Sequence, residues 1–257
     1  MADTTAAVTY GNYLKIDELL SLQQPRSEGP EHDELLFIII HQVYELWFKE
    51  LLHEFDRVAR LLTGDEPHRA QHTLKRILTI LKVMVAQLDI LETMTPKQFA
   101  AFRPELGTAS GFQSQQFRVI EATLGKREFP EPIEDPQLRE AIRRRSVFDS
   151  LLYYLAKSGW DVPTELLDRD PSQPSRSDPL VQALLREVYA DEREPAELCE
   201  ALVDIDEGIM EWRYRHVMMV QRIIGTRTGT GGSAGAAYLR STLFQPAFPE
   251  LWEVRGG

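Results

Sequence analysis

Two histidines carry the chemistry this sequence offers. His41 directly follows six consecutive apolar residues, Leu35 to Ile40, in the stretch from His32 to Lys49. A polar ring at the end of such a run needs a partner or a role. His216 occupies one position of a second apolar stripe, Leu198, Leu202, Ile205, Ile209, Trp212, His216, Met219 and Ile223, whose intervals alternate between four and three. That alternation is one continuous face of a helix. Neutral imidazole is the commonest protein ligand of transition metals, and an apolar helical face is where a proximal haem histidine belongs. Either histidine, taken alone, is better explained as a buried ring bonded to a carbonyl or carboxylate.

The helix around His41 must run on through Val43, Leu46, Trp47, Leu51 and Leu52 to about Phe55. At about 100° per residue, Phe37, His41 and Phe48 share one direction with Glu45 beside them, whereas His32 and His53 point elsewhere. The three histidines of this segment therefore cannot share one metal. Two further segments stand out. Arg103 lies among Phe99, Phe102 and Pro104, where a guanidinium can clamp a carboxylate through paired hydrogen bonds or serve as a structural ion-pair partner. Ser110 is placed to cap the turn that follows. After Ile224 comes a run rich in glycine and hydroxyl groups, residues 225–235, with Gly225 suited to end the preceding helix. It lacks the Gly-Lys-Ser/Thr ending of a phosphate loop and follows a helix where that loop follows a strand, which leaves a flexible linker or a ligand-contacting loop.

Composition narrows the classes. The 257 residues are 43% hydrophobic, enough to bury a substantial core, and carry a formal net charge of −11, which disfavours nucleic acid or an anionic membrane as the main partner. The sequence shows no signal peptide and no apolar run long enough to span a bilayer. The single cysteine, Cys199, excludes an internal disulfide and reads as a small buried hydrophobe. The cytoplasm is the compartment to expect.

Periodicity predicts an all-α chain forming one domain over residues 1–257, with helices near 13–23, 32–62, 69–94, 112–124, 136–158, 178–191 and 196–224. Proline-rich joints at 24–30, 129–136 and 163–179 read as loops. The Arg143 to Arg145 cluster reads as solvated helix surface. A di-iron carboxylate bundle would need two Glu-x-x-His motifs, and Glu50 to His53 is the only one; a zinc hydrolase would need His-Glu-x-x-His, which is absent.

Taken together, these pieces resemble the tryptophan 2,3-dioxygenase family over nearly the whole chain. The resemblance is carried by Thr9 to Asp17, His32 to Gln42 with Glu45 to Lys49, Phe102-Arg103 with Ser110 to Ser114, His216 with the residues that follow it, and Gly229 to Ser233 with Phe248 to Trp252. It implies a haem b enzyme that uses O2 to open the indole ring of L-tryptophan, giving N-formylkynurenine. His216 matches the proximal iron ligand, and His41 the distal histidine that faces the indole N–H. Phe37 and Phe99 match the indole pocket, with no hydroxyl at position 99. Arg103 matches the partner of the substrate carboxylate, and Thr230 the contact to its ammonium and carboxylate end. Tyr10, Tyr13 and Leu14 match an N-terminal arm, residues 1–30, that reaches a neighbouring subunit's site in a homotetramer. Arg213, Arg215, Arg222 and Arg227 lie close enough in sequence to His216 to be candidates for haem propionates. An oxygen-binding haem module would explain the histidines but not Arg103 and the glycine-rich loop, and a dioxygenase for another indole is the nearest enzymatic alternative.

Overall fold

The computed structural model describes residues 7–130, 132–174, 177–225, 227, 229 and 236–256. Its helices are α1 (Tyr10–Leu14), α2 (Ile16–Leu20), α3 (His32–Thr63), α4 (Pro67–Leu91), α5 (Pro96–Phe102), α6 (Gln115–Leu124), α7 (Pro136–Arg143), α8 (Val147–Lys157), α9 (Thr164–Leu167), α10 (Pro179–Ala190), α11 (Glu194–Ile224), α12 (Ala236–Ser241) and α13 (Pro249–Glu253). Among the described residues there is no strand.

Three long helices form the frame. α4 packs along both α3 and α11, and α3 also carries α6 and α8. The expected stripe of α11 is the buried one: Leu198, Leu202 and Ile205 are fully covered, and Ile209, Met219 and Ile223 nearly so. Close approach of α4 and α11 requires a small residue at their crossing. A Cβ on Gly208 would meet Leu81 Cδ1 at 3.3 Å. One continuous core extends from Ile40 on α3 to Val254 near the C-terminus, with Cys199 buried inside it.

Two expected helices are interrupted, each for a local reason. The helix read over 13–23 is instead α1 and α2, divided at Lys15, whose φ of 55° lies in the left-handed region. The helix read over 136–158 is α7 and α8, because Ser146 opens a new helix. Its hydroxyl accepts from the Asp149 amide at 3.1 Å while the Asp149 carboxylate accepts from the Ser146 amide at 2.8 Å. Arg143 to Arg145 are exposed as expected, with Arg144 paired to Glu140 at 3.1 Å.

Two buried carboxylates hold the chain's ends to this frame. Glu34, in the first turn of α3, accepts from the amides of Arg26 at 2.7 Å and Ser27 at 3.1 Å. Burial is the largest single influence on Glu34 and raises its pKa, but these amides, the Ser27 hydroxyl and the Arg26 charge together outweigh it and hold it below the usual value. A depressed carboxyl pKa stabilises the fold above the unfolded value near 4.5 and loses that contribution as pH falls through the lower folded value. Glu34→Gln should accordingly cost roughly 1–3 kcal/mol locally and speed amide exchange at Arg26 and Ser27 near neutral pH. Unchanged exchange there would show that the clasp contributes nothing.

Asp206 on α11 is fully buried and accepts from the amides of Ala247 at 2.9 Å and Phe248 at 3.1 Å and from Trp252 Nε1 at 3.0 Å. Every one of its partners is a donor, so an amide side chain cannot replace it without turning N–H against N–H. Asp206→Asn should destabilise the protein by about 3 kcal/mol, read from a denaturant midpoint, with Asp206→Glu unable to restore it in so closed a space. A midpoint within error of the parent protein would remove Asp206 from the set of anchors.

Candidate active site

Phe37, His41 and Glu45 follow one another at one-turn spacing on α3. The His41 Nδ1 lies 2.7 Å from the carbonyl oxygen of Phe37, one turn back. A carbonyl only accepts, so Nδ1 carries the proton, and in the neutral ring Nε2 is left as an acceptor. Burial pushes the His41 pKa down, opposed by the Phe37 carbonyl and the charge of Glu45. The residue is nonetheless solvent-exposed, so the ring has many protein atoms around it and is still reachable from outside. Gln116, on α6, donates to the Glu45 carbonyl at 2.8 Å and to its carboxylate at 2.9 Å, which ties this part of α3 to α6.

α5 supplies an aromatic wall beside His41. The Phe37 ring lies 4.0 Å from the His41 ring, 5.9 Å from Phe99 and 5.5 Å from Phe102, and Phe99 meets Phe102 edge-on at 5.4 Å. Phe102 is fully buried, and Arg103 follows it as the C-cap of α5 and the first residue of a 3-10 turn, Arg103–Leu106. The helix itself forms because Thr95 and Gln98 cap it reciprocally and Pro96 occupies its first position. Half-buried, Arg103 is thus set at the edge of the wall by the rigid step from α5 into the turn.

His216 comes from the opposite side of the frame, on α11. Its pKa is pushed down to about 4, chiefly by burial and then by the nearness of His41. The two rings are therefore close in space and both are held toward the neutral form. Trp212, one turn earlier, stacks on His216 with ring centroids 5.5 Å apart and planes 7° from parallel.

The remaining expected residues divide. Tyr10, Tyr13 and Leu14 are on α1 with Tyr10 77% and Tyr13 75% exposed, so within a single chain they present an apolar surface with no cover. Thr230 lies outside the described residues, as does most of 225–235; Gly225 ends α11 with a φ of 62°. Three of the four arginines near His216 are already engaged, Arg222 through Glu92 at 4.0 Å. Arg213 bonds Glu121 at 3.1 Å and the carbonyl of Gln245 at 2.9 Å, and Arg215 pairs with Asp89 and, at 3.5 Å, with Glu92. Phe102 joins the expected Phe37 and Phe99 in the aromatic wall, and its i, i+3 spacing from Phe99 is the signal for it.

An open groove of about 1020 Å³ lies elsewhere, lined among others by Lys75, Arg186, Tyr189 and Asp204. It contains neither histidine, and charges along it already pair, Arg255 with Glu200 and Gln71 with Glu197. Among the described residues no three His, Cys, Asp or Glu side chains converge as a metal site.

Comparison with known proteins decides the family. The family described as tryptophan 2,3-dioxygenase matches residues 2–131 and 161–256. The chain belongs to the tryptophan 2,3-dioxygenase family. It is 56% identical to the tryptophan 2,3-dioxygenase of Anaeromyxobacter dehalogenans strain 2CP-C, over 98% of this chain and 97% of that one. It is 53% identical to the Herpetosiphon aurantiacus protein of the same name, over 97% and 98% of the two chains. The Caulobacter vibrioides protein of that name is 45% identical, over 96% and 97%. The part between the two matched stretches holds α7 and α8, of which α7 packs on α6 and α8 on α3 and α6. Both histidines, the phenylalanine wall and Arg103 fall inside the stretches shared with the tryptophan 2,3-dioxygenase family.

Proposed function

We propose that this protein is a haem b enzyme that inserts both atoms of O2 across the indole C2–C3 bond of L-tryptophan, releasing N-formylkynurenine as the first step of tryptophan catabolism by the kynurenine pathway. One observation carries the reading: two histidines from different helices, near enough to influence each other and both pushed toward the neutral form, stand with phenylalanines of α3 and α5 and the arginine that follows them in the chain. The donor set fits the cofactor. His216 is a neutral imidazole, the form that ligates iron, on an otherwise apolar helix face, and no described residue hydrogen bonds to its ring. Haem b, when bound, supplies the iron at which O2 is activated.

The chain's own residues do the aiming. Arg103 holds the substrate carboxylate through two parallel hydrogen bonds, and Thr230 meets the ammonium and carboxylate end. Phe37 and Phe99 take the indole plane, excluding water and fixing its tilt, with the buried Phe102 packed against both. His41, with Nδ1–H committed to the Phe37 carbonyl, offers Nε2 as acceptor to the indole N–H. Fixing both ends of one rigid substrate leaves its C2–C3 edge a single orientation, a positioning effect worth several kcal/mol of barrier.

His41 in this role orients and is not an obligatory base. His41→Ala should lower turnover of L-tryptophan by roughly ten- to a hundredfold, yet leave turnover of 1-methyl-L-tryptophan, which has no indole N–H, nearly unchanged. A comparable loss with the methylated substrate would assign His41 a chemical step.

Tyr10, Tyr13, Leu14 and Leu20 of α1 and α2, and Leu35, Ile39 and Leu46 of α3, are large apolar side chains left exposed in the single chain, which supports burial against a partner. We assign it to a homotetramer in which the arms, residues 1–30, are exchanged between subunits so that Tyr10, Tyr13 and Leu14 complete a neighbour's site. No described helix is long and apolar enough to cross a membrane, and the proposed location is the cytoplasm. The activity is tested by giving the haem-loaded, reduced protein L-tryptophan in air: N-formylkynurenine must accumulate with turnover, and fully haem-loaded protein that forms none would refute it.

A further inference from the structure

We propose that Trp212 is the residue that sets the rotation of the His216 imidazole, so that the proximal ring is held by a stacked indole in place of the hydrogen bond that usually does this work. The inference rests on the reading of His216 as the haem ligand. A ligating histidine can turn about two side-chain bonds, and in most metal sites its second ring nitrogen is fixed by a carbonyl or carboxylate. Here no described residue makes a hydrogen bond to the His216 ring. What touches it face to face is Trp212, one helical turn earlier, at 5.5 Å between centroids and within 7° of parallel. Offset parallel contact of two flat rings resists rotation of either, because turning the imidazole forces its edge into the indole face.

The stack could orient His216 only if Trp212 were itself immobile, and its surroundings make it so. Phe117 of α6 lies 5.1 Å away, Phe48 of α3 meets the indole at 90° and 6.1 Å, and Tyr44 of α3 lies at 6.1 Å. Tyr44 is anchored in turn, its hydroxyl donating to the Met84 carbonyl of α4 at 2.7 Å. Side chains of α3 and α6 therefore pack on one indole carried by α11, with α4 anchoring Tyr44, and the same indole lies parallel to the His216 ring. Trp212 is a positioning residue in this scheme and touches no substrate.

The test compares Trp212→Phe, which keeps a flat ring, with Trp212→Leu, which keeps apolar bulk but offers no face, both in the haem-loaded ferrous protein. The readouts are the rate of haem loss to an apo-globin scavenger and the iron–histidine stretching band in resonance Raman spectra, with far-UV circular dichroism to verify folding. Trp212→Leu should lose haem at least about tenfold faster and show a shifted or broadened band, while Trp212→Phe recovers most of the parent behaviour. If Trp212→Leu does not fold, Trp212→Met supplies the same comparison with a side chain that fills irregular space. A folded leucine or methionine variant with parental haem loss and an unchanged band would overturn the proposal. His216→Ala separates the two levels: if it retains haem like the parent, the ligand reading itself fails, and if it loses haem while the Trp212 variants do not, only the role of Trp212 fails.

Discussion

His216→Ala should lose haem and, with it, all but a residue of turnover. Removing a partner that merely supports a metal ligand commonly lowers metal affinity by ten- to a hundredfold, so removing the ligand itself should exceed about a hundredfold in haem affinity and on the order of a thousandfold in activity. The reason lies in what remains. The face of α11 around position 216 is Ile209, Trp212, Met219 and Ile223, none of which offers a nitrogen lone pair. His41 on the other side is tied through Nδ1 to the Phe37 carbonyl, and no other histidine is near. The fold should survive, because the ring makes no hydrogen bond to any described residue that its loss would orphan. The check is haem content by absorbance after reconstitution, beside a circular dichroism melt. A folded His216→Ala protein with full haem and full turnover would place the ligand elsewhere.

The second large effect belongs to Arg103. Arg103→Leu removes a forked cation from the edge of the aromatic wall and leaves the substrate carboxylate to be buried without a partner, which costs about 3–5 kcal/mol. That corresponds to roughly a hundred- to several-thousandfold in kcat/KM for L-tryptophan. Arg103→Lys retains the charge but not the fork, and should recover only part of the loss. The effect should disappear with tryptamine, which has the indole and the ammonium but no carboxylate. The parent enzyme should discriminate strongly against tryptamine and the leucine variant hardly at all. Equal losses for both substrates would instead mean that Arg103 supports the fold of the turn after α5.

How much of this could be read from the residues alone depended on the range of the interactions. His41 and His216 were visible because each interrupts a long apolar stripe, and α3 and α11 came out within a residue or two of their ends for the same reason. Periodicity carries no record of a change of direction inside an apolar run. It therefore joined α7 to α8 across Ser146, where a short-range capping exchange ends one helix and begins the next. It also passed over α5, which at seven residues is too short to show a face, although the Thr95-Pro96 start marks it. Contacts across long stretches of chain were invisible. Asp206 looks like one more charge on a helix until its partners, some forty residues away, are in place. Arg213 and Arg215 looked free to meet a cofactor, and their carboxylates, Glu121 and Asp89, come from two other helices. The functional roles of Phe37, Phe99 and Arg103 rested on family likeness, and the structure adds that α3 and α5 bring the Phe37 and Phe99 rings together beside His41.

The central claim is the reaction itself, and the most direct measurement is product mass after haem-loaded, reduced protein is mixed with L-tryptophan and 18O-labelled O2. The expected product is N-formylkynurenine carrying both labelled atoms. Product with one labelled atom, or none from protein that is fully haem-loaded and ferrous, would contradict the assignment of a dioxygenase acting on tryptophan.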